Sequence, residues 1–335
     1  MSSSRRLWPT LRIGTRSSPL ARWQAEWVAD QLRHHHPGLE VVLVEIKTEG
    51  DRDRNTPLAQ LGGTGVFTKE IQRAVLSRDV EVAVHSLKDL PTAGHAELAL
   101  AAIPPREDVS DALVAPAHRT LDALPPGARV GTGSIRRRAQ LLHLRHDLEI
   151  VPIRGNVETR LRQTLEGVLD AVVLAWAGLR RLGLQHLATQ RLAPPTFLPA
   201  VGQGALAVEC HRDDFATLQL LACLDDPVSR RAVVAERQAL AELEGGCLIP
   251  LAAWARDVTR PATSEISTST PSDGPAAQPE EGLALDAALY DPDGQVRLFA
   301  SLQAPREAPE RLGRRVAAAL RDQGAEQLLA RLRPP

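Results

Sequence analysis

Short apolar runs and longer amphipathic stretches alternate along most of the chain. Residues 11–15, 40–48 and 80–85 are β-rich runs, whereas residues 20–33 and 67–78 repeat apolar positions with a helical period. This alternation predicts an α/β domain around a mostly parallel sheet. The series restarts with a strand at 128–132, a helix at 135–145, a strand at 148–153, a helix from Val157 and a uniformly apolar strand at 171–175, which predicts a second α/β domain. The Gly/Pro-punctuated stretch 198–205 enters another strand, 205–210, and reads as a crossing between domains. A long helix from Pro227 to about Leu243, with Asp225 and Asp226 placed to cap it, opens a third domain. That domain contains a hairpin, 283–290 and 295–301 around Asp293 and Gly294, and an amphipathic terminal helix over 308–332. Residues 259–282 are rich in Ser, Thr, Pro, Ala and Glu and predict a disordered loop.

Two predicted strand ends share one pattern. Ile13-Gly14-Thr15-Arg16-Ser17 and Val130-Gly131-Thr132-Gly133-Ser134 both stand immediately before a helix. Glycine admits a close ligand, a hydroxyl can cap, and free N–H groups with the helix dipole favour negative charge. One copy fits an ordinary capped turn equally well. Two copies, each followed by basic residues, favour anion binding.

Composition narrows the chemistry. The 335 residues, 43% hydrophobic and 24% charged, suffice for two or three domains with a sizeable core. A net charge of -1 creates no global field for nucleic acid, and 3% aromatic residues provide few stacking platforms, so an anionic ligand must be held by local clusters. Of 40 basic residues only Lys47, Lys69 and Lys88 are lysine. A lone arginine is therefore a weak signal, while each lysine stands out as a compact ammonium among planar guanidinium groups. Cys210, Cys223 and Cys247 lack Cys-x-x-Cys spacing, which suits a reducing compartment and argues against a disulfide framework or a zinc site. With a polar opening, and no apolar stretch long enough for a signal peptide or a membrane span, the expected location is cytoplasmic. Nothing in the sequence demands more than a monomer.

The densest basic cluster is Arg136-Arg137-Arg138 at a helix start, followed by Arg154 at a strand end and by Arg160 and Arg162. Adjacent helix positions diverge by about 100°, so residues 136 and 137 are expected to serve different carboxylates. A solvated helix face is the competing account. His85-Ser86-Leu87-Lys88-Asp89-Leu90-Pro91 ends a β-rich run in titratable groups, either a ligand-facing strand end or a surface ion pair. Glu244-Gly245-Gly246-Cys247 offers a thiol on a glycine turn, either reactive or inert. The triplet His34-His35-His36 does not share one helix face and reads as a solvated helix end rather than a metal site.

Together these segments resemble the porphobilinogen deaminase family. The resemblance runs from about Leu11 to the end and is carried, in order, by residues 11–21, 85–91, 131–137, 154–157, 198–205 and 243–247. It implies two periplasmic-binding-protein-like α/β domains, 8–104 with 204–222 and 105–199, and a smaller α+β C-terminal domain, 226–335. It also implies an enzyme that condenses four porphobilinogen molecules, with loss of ammonia, on a covalent dipyrromethane cofactor and releases hydroxymethylbilane by hydrolysis. By resemblance, Cys247 holds the cofactor through a thioether, Asp89 faces the pyrrole nitrogens, and Phe67 packs near the cofactor. Arg16, Ser18, Gln24, Ser86 and Lys88 match ligand-binding positions ahead of the crossing. Thr132, Ser134, Arg136, Arg137, Arg154, Arg160 and Arg181 match groups that hold acetate and propionate side chains. Thr64 departs from the family, which often has lysine there, and Lys69 is a candidate to compensate. The rival is a non-catalytic polyanion-binding protein of periplasmic-binding-protein type, which leaves Cys247 without a role.

Overall fold

The computed structural model describes residues 10–48, 50, 65–243, 249–260 and 280–332. Cys247, Thr64 and residues 261–279 lie outside the described residues. The first lobe runs through strand β1 (Leu11–Thr15), helix α1 (Pro19–His35), β2 (Val41–Glu45), α2 (Lys69–Leu76), β3 (Val82–Ser86), a 3₁₀ turn at Leu87–Asp89 and β4 (Leu98–Ala102). The second lobe contains β5 (Asp111–Val114), β6 (Arg129–Gly131), α3 (Ile135–Leu144), β7 (Glu149–Val151), α4 (Val157–Leu165), β8 (Ala171–Ala175), α5 (Trp176–Arg181) and β9 (Gln190–Leu192). The chain then returns to the first lobe as β10 (Leu206–His211) and α6 (Phe215–Leu221). Helix α7 (Pro227–Glu242) leads into β11 (Leu251–Arg260), β12 (Glu280–Tyr290), β13 (Arg297–Pro305), α8 (Pro309–Asp322) and α9 (Ala325–Ala330). The fold is thus two α/β lobes and a smaller α+β domain.

The repeated Gly-Thr-x-Ser pattern marks equivalent strand-to-helix turns in the two lobes. Ser18 caps α1 by accepting from the Ala21 amide, and Ser134 caps α3 by accepting from the Arg137 amide. The apolar face of α1, carried by Ala25, Val28, Ala29 and Leu32, packs with Ile13, Val82 and Val84 on one side of the first sheet. Ala83, between those two valines, turns to the other side and meets Ile71 and Val75 of α2. A strand covered on both faces reads as a continuous apolar run, and β8 repeats the arrangement with Val173 and Val172 on opposite faces. At α7, Asp226 is the cap; Asp225 instead accepts from the Ile103 amide and from Arg230.

The lobe sheets have strand orders β2-β1-β3-β10-β4 and β7-β6-β8-β5-β9. They are half parallel rather than mostly parallel. β1 is parallel to β2 and β3, but β10 is antiparallel to both neighbours; β5 is likewise antiparallel to β8 and β9. The reason is topological, because β5 and β10 are the strands that enter from the opposite lobe. Their approach segments touch at Gly204, which accepts a hydrogen bond from the Glu107 amide at 3.2 Å. A Cβ there would stand 2.3 Å from the Glu107 carbonyl oxygen, and φ is +87°, so both space and backbone call for glycine.

The third sheet is the antiparallel meander β11-β12-β13. One face packs Leu283, Leu285 and Leu289 against Ala235 and Ala239 of α7 and Leu312, Val316 and Leu320 of α8. The other carries Ala252, Ala288 and Tyr290 onto Ala139 of α3 and Leu198, so this domain braces the second lobe. Two sequence expectations change here. The terminal helix is broken into α8 and α9 at Gly324, whose φ is +100°. Residues 259–260 and 280–282 are strand rather than disordered loop, with Thr259 paired to Glu281 and Arg260 to Glu280, because ladder hydrogen bonding outweighs their polar composition.

Candidate active site

The carboxyl end of β3 delivers the first group of residues. Ser86 closes the strand, and the 3₁₀ turn that follows buries Leu87 while leaving Lys88 and Asp89 half-buried toward the second lobe. Gln24 reaches from α1 to donate to Ser86 Oγ at 2.8 Å, so these two site candidates hold each other. Lys88 Nζ donates to Gln203 Oε1 at 3.4 Å. Asp89 has neither a hydrogen bond nor an ion pair among the described residues. Arg16, just past β1, lays its guanidinium 4.1 Å from the centre of the Phe67 ring.

The second lobe answers with a buried charge cluster centred on Asp111, the first residue of β5. Arg136 Nη2 donates to Asp111 Oδ2 at 2.7 Å; Arg137 donates to Oδ1 through Nη2 at 2.7 Å and Nε at 3.0 Å. The expectation that residues 136 and 137 serve different carboxylates is therefore overturned. Their Cα–Cβ bonds diverge, but both stems are long enough to converge on an acid that lies beside the start of α3. Arg136 also donates to the Leu198 carbonyl, Arg137 to the Val173 carbonyl, and Gln203 Nε2 to Asp111 Oδ1 at 2.9 Å. Burial alone raises the Asp111 pKa, but the two guanidinium groups outweigh it and hold the carboxyl at about 2. Thr132 Oγ1 accepts from the Ser134 amide, and Ser134 is spent on its capping bond, so both hydroxyls organise the turn.

Arg154, Arg160 and Arg181 are further cations of the second lobe, the first two close enough for their charges to interact. Arg154 Nη1 is buried and has no hydrogen-bond partner among the described residues. Arg160 Nε donates to the Gly155 carbonyl, and its pKa is lowered to about 10 by burial and by Arg137, against the pull of Asp89. Lys88 is lowered to about 8 by burial and then Arg137, with Asp89 and Asp111 opposing. Arg181 donates to the Gly204 carbonyl, lies 5.8 Å from the Trp23 ring centre and is lowered to about 10 by burial. Burial thus lowers the proton affinity of Lys88, Arg160 and Arg181, and the charge of Arg137 adds to that lowering at Lys88 and Arg160, which a bound anion would oppose. The chemistry of these donors fits a bound polycarboxylate such as the dipyrromethane implied by resemblance. An orphaned guanidinium nitrogen and mutually repelling cations each gain from a carboxylate.

Sequence reasoning missed the residues that tie this site together. Arg106 Nε donates to the Gln203 carbonyl, and its fork closes on Glu236 of α7 at 2.7 and 3.0 Å. Glu236 also accepts from the Gly202 and Ala255 amides. Asp111 and Glu236 are each 0% exposed. The available signal was an acid entering an apolar run, as in Val109-Ser110-Asp111-Ala112-Leu113; a buried acid needs a partner. Elsewhere, His36 Nε2 lies 3.0 Å from the Leu220 carbonyl oxygen. No helix among the described residues is long and apolar enough to cross a membrane.

A surplus of cations around one uncommitted carboxylate, spread over two lobes, defines a protein built to take a ligand rich in carboxylates. Residues 11–219 match porphobilinogen deaminase, dipyromethane cofactor binding domain, and residues 230–322 match porphobilinogen deaminase, C-terminal domain. The chain belongs to the porphobilinogen deaminase family. A porphobilinogen deaminase of Syntrophotalea carbinolica is 46% identical over 99% of this chain and 97% of its own length. One of Xanthomonas euvesicatoria is 48% identical over 96% and 99%, and one of Desulforudis audaxviator 44% over 96% and 97%. Among solved structures, the methionine binding protein MetQ is 13% identical with a TM-score of 0.42, over 70% of this chain and 94% of its own.

Asp111→Asn keeps the shape but removes the charge between two buried guanidinium groups. The expected loss of stability is about 3–5 kcal/mol, measured by denaturant unfolding. A loss below about 1 kcal/mol would show that Arg136 and Arg137 do not depend on this carboxylate.

Proposed function

We propose that this chain is a transferase that joins four porphobilinogen molecules head to tail, with loss of ammonia, and releases hydroxymethylbilane by hydrolysis. The carrying observation is the set of cations beside Asp89: Arg136 and Arg137 locked on Asp111, Arg154 Nη1 buried without a hydrogen-bond partner among the described residues, and Lys88 next to an acid that makes no hydrogen bond among them. Such a site is short of negative charge by several units, and porphobilinogen brings two carboxylates per ring. The dipyrromethane, when attached to Cys247, would supply the free pyrrole carbon that the first incoming ring joins and the tether that retains the chain while each later ring joins the one before it.

The protein's own residues bind, orient and exchange protons. Lys88, Arg16, Arg154, Arg160 and Arg181 take the acetate and propionate groups directly. Arg136 and Arg137, locked on Asp111, contribute charge from beneath. Ser18, Gln24, Ser86, Thr132 and Ser134 set the turns from which backbone amides and cations face the ligand, and Phe67 presents an aromatic surface beside Arg16. When the C–N bond of the protonated aminomethyl group breaks, ammonia leaves with the bonding pair and positive charge spreads over the substrate's ring nitrogen; the free α-carbon of the growing chain then forms the new C–C bond. The Asp89 carboxylate stabilises that charge and accepts a proton as aromaticity returns. The odd, unspaced cysteines support a reducing, cytoplasmic setting, and we read the enzyme as a monomer without nucleic-acid or membrane partners. A non-catalytic polyanion binder leaves Cys247 unexplained.

Intact mass of the purified protein is expected to exceed the sequence mass by one dipyrromethane, and Cys247→Ser to remove the adduct; an unmodified mass in an active preparation removes the mechanism. Asp89→Asn is expected to retain fold and adduct yet lose at least about a hundredfold in turnover, and near-wild-type turnover would place proton handling elsewhere. Lys88 is depressed to about 8, so its ammonium persists below that pH and is lost above it. The KM for porphobilinogen should therefore climb above pH 8 by up to about tenfold per unit. Lys88→Arg, which stays charged, should flatten that limb. A KM in the wild-type enzyme that is level from pH 7 to 9.5 would detach Lys88 from substrate binding.

A further inference from the structure

The loop that carries Asp89 is held from outside the lobe it belongs to. Arg237, on the third turn of α7, donates through Nη1 to the Leu90 carbonyl at 3.0 Å and through Nη2 to the Pro91 and Thr92 carbonyls at 2.6 and 3.4 Å. These are the three peptide groups directly after Asp89. One turn earlier on the same face, Val233 packs with Leu87 and Leu90, the apolar residues on either side of the Lys88-Asp89 pair. Beyond the loop there is little to hold it. A cavity of about 480 Å³ opens beside it, lined by Leu90, Thr92, His95 and Arg237 among others, and residues 93–97 are exposed. The apolar grip thus stops at Leu90, and the guanidinium fork fixes the backbone that follows.

We infer that Arg237 is a positioning residue for Asp89, setting the direction of its carboxylate through the Leu90–Thr92 carbonyls. The inference rests on the assignment of Asp89 as the proton-handling group. The fork is suited to the task because a planar guanidinium spans successive carbonyls, whereas an ammonium is a point donor. Arg237 holds the main chain of this loop, so its loss is expected to alter turnover more than carboxylate affinity.

A double-mutant cycle in the full-length, adduct-bearing enzyme tests this. Arg237→Ala is expected to keep the adduct by intact mass and to lower kcat about tenfold to a hundredfold, with KM for porphobilinogen changed less than about threefold. In an Asp89→Asn background the same substitution is expected to cost less than about twofold, because the group it positions is already disabled. An equal loss in both backgrounds, or a rise in KM with kcat unchanged, overturns the inference while leaving Asp89 in its role. Near-wild-type turnover of Asp89→Asn alone sinks the Asp89 assignment and this inference with it. Should Arg237→Ala not accumulate as folded protein, Arg237→Lys carries the same cycle: it keeps the charge and one donor, and the same pattern of coupled loss is required.

Discussion

A cleft that receives a growing string of carboxylates has to hold more guanidinium and ammonium charge than its own acids neutralise. Every cation beyond that balance raises the energy of the folded chain before any ligand arrives. Asp111 is the local solution. One buried carboxylate accepts three hydrogen bonds from Arg136 and Arg137 and a fourth from Gln203, so two guanidinium groups are fixed inside the second lobe without being left unpaired. The charge of Arg137 still reaches Lys88 and Arg160 and adds to the lowering that burial causes in both. The protein thereby separates two tasks that a single surface arginine cannot combine: pairing that satisfies burial, and residual positive potential directed at the ligand.

The same carboxylate ties the site to the rest of the fold. Gln203 bonds Asp111 on one side and receives Lys88 on the other, and its own carbonyl is held by Arg106. Arg106 in turn closes on Glu236 of α7. A continuous polar chain therefore runs from the second lobe, through both crossing segments, into the helix that opens the third domain. The carboxylates of Asp111 and Glu236 each accept several hydrogen bonds, which is what lets a buried polar network specify geometry, while Arg136 Nε has no hydrogen-bond partner among the described residues. Gly204 allows the crossing segments to touch, and the meander braces α3 through Ala288 and Tyr290, so the cations of α3 are supported from two directions.

Much of this was legible in the residue pattern, and the exceptions have physical causes. Strand and helix alternation located β1, α1, β3, α3, β8 and α7, because their apolar periodicities are strong and their caps are Ser18, Ser134 and Asp226. Strand direction was not legible: β10 read as a strand of unspecified direction, β5 was not read as a strand, and only the chain's two crossings between lobes make them antiparallel. The ends of β11 and β12 were hidden because Thr259 and Glu281 are polar and gain strand structure from pairing with each other. At the site, residue types pointed to Lys88, Asp89 and the arginines, yet Asp111, Gln203, Arg106 and Glu236 were invisible. Their importance comes from partners 25 to 130 positions away, which no local spacing encodes.

One residue decides between storing a polyanion and transforming it. In a site whose purpose is only to bind carboxylates, an acid facing the ligand is a liability, since it repels the groups that the cations attract. Replacing Asp89 with a neutral residue would improve such a binder. Asp111 escapes the objection because its charge is already spent on two guanidinium groups, but Asp89 makes no hydrogen bond among the described residues and meets only the charges of Lys88 and Arg160. The repulsion is worth tolerating only if positive charge develops on the ligand at some stage, when the same carboxylate becomes attractive. On the proposed assignment, Asp89 then serves the transition state rather than the ground state. That assignment agrees with the family to which the chain belongs, and it places the distinction between catalysis and storage on one carboxylate at the end of one strand.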